Sequence, residues 1–147
     1  MQPQRIIGTA GPAPGRAAQV DIGYLNGEAY EIRVRGHRVR VDQPADLGGD
    51  DSAPTPTELF VASLAACVAF YAGRYLTRHG LRRDGLAVHT DFDMATDRPV
   101  RVAAIRITVR APDGFPAERR AALAAVASHC TVHNSLTTQP EISVTVE

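Results

Sequence analysis

The chain holds only two cysteines, Cys67 and Cys130, and they are the residues best suited by type and setting to do chemistry. Far apart in sequence, they form no Cys-x-x-Cys, no zinc-knuckle spacing and no dense disulfide framework. In a reducing compartment such a pair is either inert packing or redox machinery. Cys67 stands in an uncharged run, residues 59–73. At helical spacings its face carries Phe60, Ser63, Leu64, Phe70, Tyr71 and Arg74. A cysteine among Ala and Phe is commonly a small hydrophobe. Arg74 argues for more: helical side chains lean toward the N-terminus, so an arginine two turns later tilts back toward Cys67 and could favour its thiolate. Cys130 lies in His129-Cys130-Thr131-Val132-His133-Asn134-Ser135-Leu136. If residues 131–136 begin a helical turn, Cys130 sits at its N-terminus, where unpaired amides favour a thiolate. The competing chemistry is zinc binding by Cys67, Cys130, His133 and His129, although a lone Cys-x-x-His is common by accident.

Composition sets the bounds within which these residues act. A chain of 147 residues is the size of one domain, 1–147, long enough to bury a core. With 44% hydrophobic residues, 22% charged residues and a formal net charge of zero, it reads as globular, and nothing global points to nucleic acid or an anionic membrane as partner. All the basic residues are arginine, so Schiff-base chemistry and a P-loop lysine are excluded. Residues 1–16 lack the apolar core of a signal peptide, which leads us to expect a cytoplasmic protein. The uncharged run is shorter than the roughly 18 to 20 residues that cross a bilayer, and reads as a buried helix.

The elements that must position the cysteines are legible along the chain. Residues 19–42 predict a three-stranded meander, with reversals at Asn26-Gly27 and Gly36. In it Ile32, Val34, Val39 and Val41 alternate with Arg33, Arg35, Arg38 and Arg40, so one face is buried and the arginine face wet. Residues 43–54 have loop composition, with Gly48-Gly49 in the middle. Thr55-Pro56-Thr57-Glu58 then supplies a capping hydroxyl, a proline at the first helical position and a glutamate at the third, which is a capping box. The helix should run over 56–79 and stop at Gly80, about 36 Å long and apolar on nearly every face of its first two thirds. Residues 86–95 and 100–110 predict a hairpin around Asp97-Arg98-Pro99, 116–129 a helix, and 141–147 a closing strand. The order is βββαββαβ, an α+β fold with antiparallel sheets around a long buried central helix. One copy has little left to wrap that helix, so a second copy is expected to supply part of the cover.

Taken together, Pro54-Thr55-Pro56-Thr57-Glu58-Leu59-Phe60 leading into Ala65-Ala66-Cys67, and then Cys130-Thr131-Val132-His133, resemble the OsmC/Ohr family of organic hydroperoxide reductases. The Leu47-Gly48-Gly49 loop and the strand order agree, and the resemblance covers most of the chain from about residue 19 onward. It implies an intertwined homodimer with two active sites at its interface, each a buried cysteine pair that reduces hydroperoxides. Three departures stand out. Close relatives of Ohr carry glutamate directly after the proline, where this chain has Thr57 with Glu58 one place later. Glu58 lies about 13 Å from Cys67 along the helix and half a turn around it, so it caps the helix and could reach a cysteine only across a dimer interface. The Ohr-type arginine comes from a Gly-Gly-Arg loop, to which the segment ending at Gly15-Arg16 is a loose match that makes Arg16 a candidate. Thr131 stands where many relatives have proline, which points to an OsmC-like branch.

The mechanism implied has Cys67 attack the distal peroxide oxygen to give an alcohol and a sulfenic acid, which Cys130 resolves as a disulfide and an external dithiol reduces. Phe60, Leu64, Phe70 and Tyr71 would line an apolar pocket for an organic tail, and Arg74 or Arg16 would stabilise the developing charge. Cys67, Cys130, Arg74, Arg16, Glu58 and His133 are thus the candidate catalytic residues, with no metal, haem or flavin required. Two rivals stand beside this reading: a redox-sensing or hydrophobic-ligand-binding protein of the same fold, and two buried thiols too far apart to bond.

Overall fold

In the computed structural model residues 18–147 are described, and the chain falls into two units, one up to Phe60 and one from Val61 on. The first unit is built by short-range turn chemistry. Strands β1 (Asp21–Asn26), β2 (Ala29–Val34) and β3 (His37–Val41) form an antiparallel sheet in that order. The first turn occupies Gly27 and Glu28, one place later than Asn26-Gly27 predicts, because Asn26 pairs with Ala29 and the left-handed backbone falls on Gly27 at φ 51°. At the second turn the left-handed residue is Arg35, at φ 53°, just before Gly36. Register follows the alternation: Ile32 faces Val39 and Arg33 faces Arg38. Glu31 lies between the guanidinium groups of Arg33 and Arg38, at 3.5 Å from each. The apolar face is covered only in part. Val41 is buried, whereas Ile22 and Tyr24 remain 57% and 64% exposed.

The glycine loop is held by a carboxylate. Asp42 is buried, and its two oxygens accept from the Ser52 hydroxyl at 2.6 Å, the Ser52 amide at 3.1 Å, the Gln43 amide at 2.8 Å and the Asp50 amide at 3.3 Å. These donors, the Ser52 hydroxyl foremost, hold its pKa at about 2, below the ordinary 3.8, against the opposing effect of burial. A depressed folded-state pKa contributes stability that is fully present above the unfolded value and is lost as pH falls through the folded one. The urea midpoint should therefore drop between about pH 4 and about pH 2. In Asp42→Asn, which is weaker at neutral pH because its amide cannot accept all four bonds, this part of the acid limb should be missing. Parallel pH curves for the two proteins would contradict the assignment.

The predicted capping box forms. The Thr55 hydroxyl accepts from the Glu58 amide at 3.1 Å, and the Glu58 carboxylate accepts from the Thr55 amide at 3.2 Å. Helix α1 (Pro56–Arg78) follows and ends as Gly80 predicts. Gly80 is left-handed at φ 67°, its amide donates to Thr77 and the Leu81 amide donates to Leu76 at 2.8 Å, a Schellman closure. By length and composition α1 could cross a bilayer, and half of its most apolar window is buried within the protein.

In the second unit β4 (Ala87–Met94) and β5 (Val102–Arg110) form the predicted hairpin, with a cis Arg98–Pro99 peptide in its loop. Ile105, Ile107 and Val109 share one face and pack against a core made by Leu64, Cys67, Val68, Ala72, Tyr75 and Leu76 of α1. The stretch predicted as one helix over 116–129 is a 3-10 turn (Ala117–Arg119) running into α2 (Arg120–Ala127). A further helix, α3 (Thr131–Thr137), follows Cys130. The predicted closing strand does not pair: residues 141–147 join no strand among the described residues, and Ile142, Val144 and Val146 are 80%, 87% and 96% exposed. Alternation favours the strand conformation, but a strand is stable only with a neighbour to receive its amides and carbonyls.

Candidate functional site

Cys67 enters the site because α1 turns its apolar middle inward, where Leu64 and Val68 flank it. Cys130 enters because α2 ends at Ala127, with Ser128 as its C-cap, and the chain restarts as α3. Both thiols are free, both are buried, and both belong to one apolar cluster. Cys67 is near enough to Cys130 to help push its thiol pKa up. The fold thus brings two residues that the sequence holds far apart into one buried cluster.

Cys130 is the N-cap of α3, as its position before Thr131 allows, and its sulfur accepts the His133 amide at 3.4 Å. The expectation that these amides favour a thiolate is reversed in sum. Burial pushes the Cys130 pKa up, and the nearby Cys67 adds to it, while the His133 and Val132 amides pull the other way without prevailing. Amide donors at a helix terminus outweigh desolvation only where the sulfur keeps some contact with water, and Cys130 has none.

Of the other candidates, Arg74 is buried with its guanidinium carbon 5.6 Å from the centroid of the Phe70 ring, one turn back along α1 toward Cys67. Phe70 and Tyr71 meet edge to face at 5.4 Å, and the Tyr71 hydroxyl is 3.0 Å from the Thr131 hydroxyl, which ties α1 to the first turn of α3. A cavity of about 500 Å³ opens on the other flank of α1. Its walls include Leu64, Val68, Ile107 and Leu123, with Arg120 and His133 as its basic residues. Of the four expected pocket residues only Leu64 lines it. Phe60, the last residue of the first unit, is 39% exposed. No group of three or more His, Cys, Asp or Glu side chains arranged to hold a metal occurs among the described residues, and His129 and His133 each turn a ring nitrogen to a backbone carbonyl instead.

Residues 49–145 match the family described as OsmC-like protein. The chain belongs to the OsmC/Ohr family. Solved structures agree on the fold. A Psychrobacter arcticus 273-4 protein, described as an osmotic-stress-induced and detoxification-response protein, aligns over 84% of this chain and 90% of its own, with 22% identity and a TM-score of 0.74. A Legionella pneumophila organic hydroperoxide resistance protein, OsmC, aligns over 84% and 91% with 16% identity and a TM-score of 0.64. A Vibrio cholerae organic hydroperoxide resistance protein with captopril bound in one of its active sites aligns over 87% and 90% with 14% identity and a TM-score of 0.65. No curated protein matches the sequence.

Within this OsmC-like chain Glu58 serves the capping box described above. Arg16, the loose match to the Ohr arginine, lies outside the described residues. The residues that sequence reasoning missed are Val68 and Leu123, buried beside the cysteines on the cavity side. An all-round apolar helix gives no periodicity by which to choose that side.

Proposed function

We propose that this OsmC-like protein is a thiol-dependent peroxidase for organic hydroperoxides. The Cys67 sulfur attacks the distal peroxide oxygen, the O–O bond breaks, the alcohol departs with a proton, and Cys67 is left as a sulfenic acid. Cys130 then attacks that sulfur: an S–S bond forms, the S–O bond breaks, and the hydroxyl leaves with the thiol proton as water. A dithiol reductant returns both thiols, a cycle suited to the cytoplasm. The observation that carries this reading is the placing of two free thiols in one buried apolar cluster.

The unequal settings of the thiols support unequal roles. A buried Cys130 with a raised pKa stays protonated at neutral pH, which suits a residue that reacts only once Cys67 has become electrophilic. Arg74, buried on α1, would stabilise charge on the departing oxygen. The relatives called organic hydroperoxide resistance proteins support the substrate class.

The assembly we propose is a homodimer. The exposed apolar face of the first sheet and the alternating Ile142, Val144 and Val146 are surfaces a second copy would cover. Light scattering at micromolar concentration should give twice the chain mass, with an interface above about 2,000 Å². A stable monomer would contradict this.

The apolar cavity, which contains neither cysteine in its walls, favours a second reading in which the protein holds a hydrophobic ligand without turnover. Steady-state assay with tert-butyl hydroperoxide and dithiothreitol separates the two. Catalytic amounts of protein should consume many equivalents of peroxide; consumption no faster than the buffer blank would favour the ligand reading.

A further inference from the structure

His133 is held in a way that the reaction steps above do not use. Its backbone amide donates to Cys130 Sγ at 3.4 Å. Its ring Nδ1 lies in a short hydrogen bond with the Ser128 carbonyl. A carbonyl only accepts, so Nδ1 carries the proton and the ring has one tautomer in its neutral form. Ser128 is the C-cap of α2 and Cys130 the N-cap of α3, so one side chain bridges the bend between the two helices, with Cys130 at its apex. Asn134 repeats the bridge more weakly, its side-chain amide donating to the His129 carbonyl at 3.4 Å.

We propose that His133 is the positioning residue for Cys130: its ring, anchored on Ser128, and its amide, on the sulfur, hold the thiol facing Cys67. The inference rests on the peroxidase reading for its context but on the bend alone for its geometry. A short bend such as 128–130 leaves the Cys130 side chain free to rotate away once the anchor is removed, and misplacement by about 1 Å of a reacting atom costs on the order of a hundredfold in rate. Arg120 shares the cavity wall with His133, and His129 and Cys130 lie in the bend itself. No carboxylate lines that cavity, and none of the ion pairs among the described residues involves His133.

The choice of variants follows from the ring's single donor. Asn at 133 places its side-chain NH2 where the histidine Nδ1–H stood and can restore the bond to Ser128; Leu cannot. His133→Leu should form the Cys67–Cys130 disulfide on the order of ten- to a hundredfold more slowly after one equivalent of organic hydroperoxide, while the first step, peroxide consumption in a single turnover, keeps its rate. A sulfenic acid at Cys67 should then be trapped by a dione reagent. His133→Asn should recover most of the disulfide rate. Should the Leu variant fail to fold, His133→Ala, beside an existing cavity, reads the same loss.

A parallel experiment uses diamide, a thiol oxidant that needs no peroxide chemistry. If the parent protein forms the disulfide with diamide but not with hydroperoxide, the peroxidase reading falls, and the comparison of His133→Leu with the parent under diamide still tests the positioning role. Disulfide formation by His133→Leu at the parental rate would overturn the proposal. So would His133→Asn as slow as His133→Leu, which would assign the ring a proton-transfer role instead.

Discussion

Cys67→Ser is expected to consume no organic hydroperoxide at all, not even one equivalent in a single turnover. An alcohol with no adjacent base is a poor nucleophile, and the buried residues clustered with Cys67 include Leu64, Val68 and Leu123. Cys130→Ser should behave differently, consuming one equivalent and stopping. Its Cys67 sulfenic acid then has no neighbouring thiol to resolve it, is trappable by a dione reagent, and proceeds to sulfinic acid on repeated exposure. The two variants together fix the order of attack. Rapid-mix consumption of peroxide, followed by mass analysis of each variant, measures it. A Cys67→Ser protein that still consumes one equivalent, beside a Cys130→Ser protein that consumes none, would reverse the roles.

Gly49→Ala is expected to destabilise the first unit by about 3 kcal/mol, far more than its half-buried position suggests. A Cβ at residue 49 would sit 1.9 Å from the Gln43 carbonyl oxygen and 2.8 Å from Asp42 Oδ1. Both neighbours are fixed. Gln43 O accepts the Asp51 amide at 3.0 Å, and Asp42 carries the four donors that close the loop. No flexible side chain can yield, so the clash is relieved only by opening the loop. Gly48→Ala is the control. Its Cβ would meet nothing within 4 Å, and only the left-handed backbone at φ 87° would cost about 1–2 kcal/mol. Urea unfolding of the two variants should separate them in that order. Equal midpoints would show that the loop tolerates the close approach.

These neighbouring glycines illustrate how much was legible in the chain. Loop composition marked Gly48-Gly49 as a turn, but only coordinates distinguish a glycine needed for its φ from one needed for its missing Cβ. Features governed by local chemistry read directly: the capping box at Thr55 and Glu58, the Gly80 stop and the register of Ile32 with Val39. The break at Ser128–Cys130 was half legible. A Cys before Thr-Val-His-Asn suggested a new helical turn, while the alanine-rich stretch before it suggested one unbroken helix.

What could not be read depends on burial from several directions. The sign of the Cys130 shift is one case, because desolvation by elements remote in sequence outweighs the two amides of its own turn. The side of α1 that faces a cavity is another, because Phe60, Phe70 and Tyr71 are as apolar as Leu64 and Val68. The closing strand is a third. Its alternation of Ile142, Val144 and Val146 is plain, yet its neighbour is not specified by the alternation.

The peroxidase cycle requires Cys67 and Cys130 to act as one redox pair. Reduced protein treated with one equivalent of an organic hydroperoxide, then denatured, alkylated and weighed, tests this most directly. The expected product has lost two hydrogens, takes up no alkylating agent, and yields on digestion a peptide carrying Cys67 joined to one carrying Cys130. Recovery of both cysteines fully alkylated after peroxide exposure would contradict it.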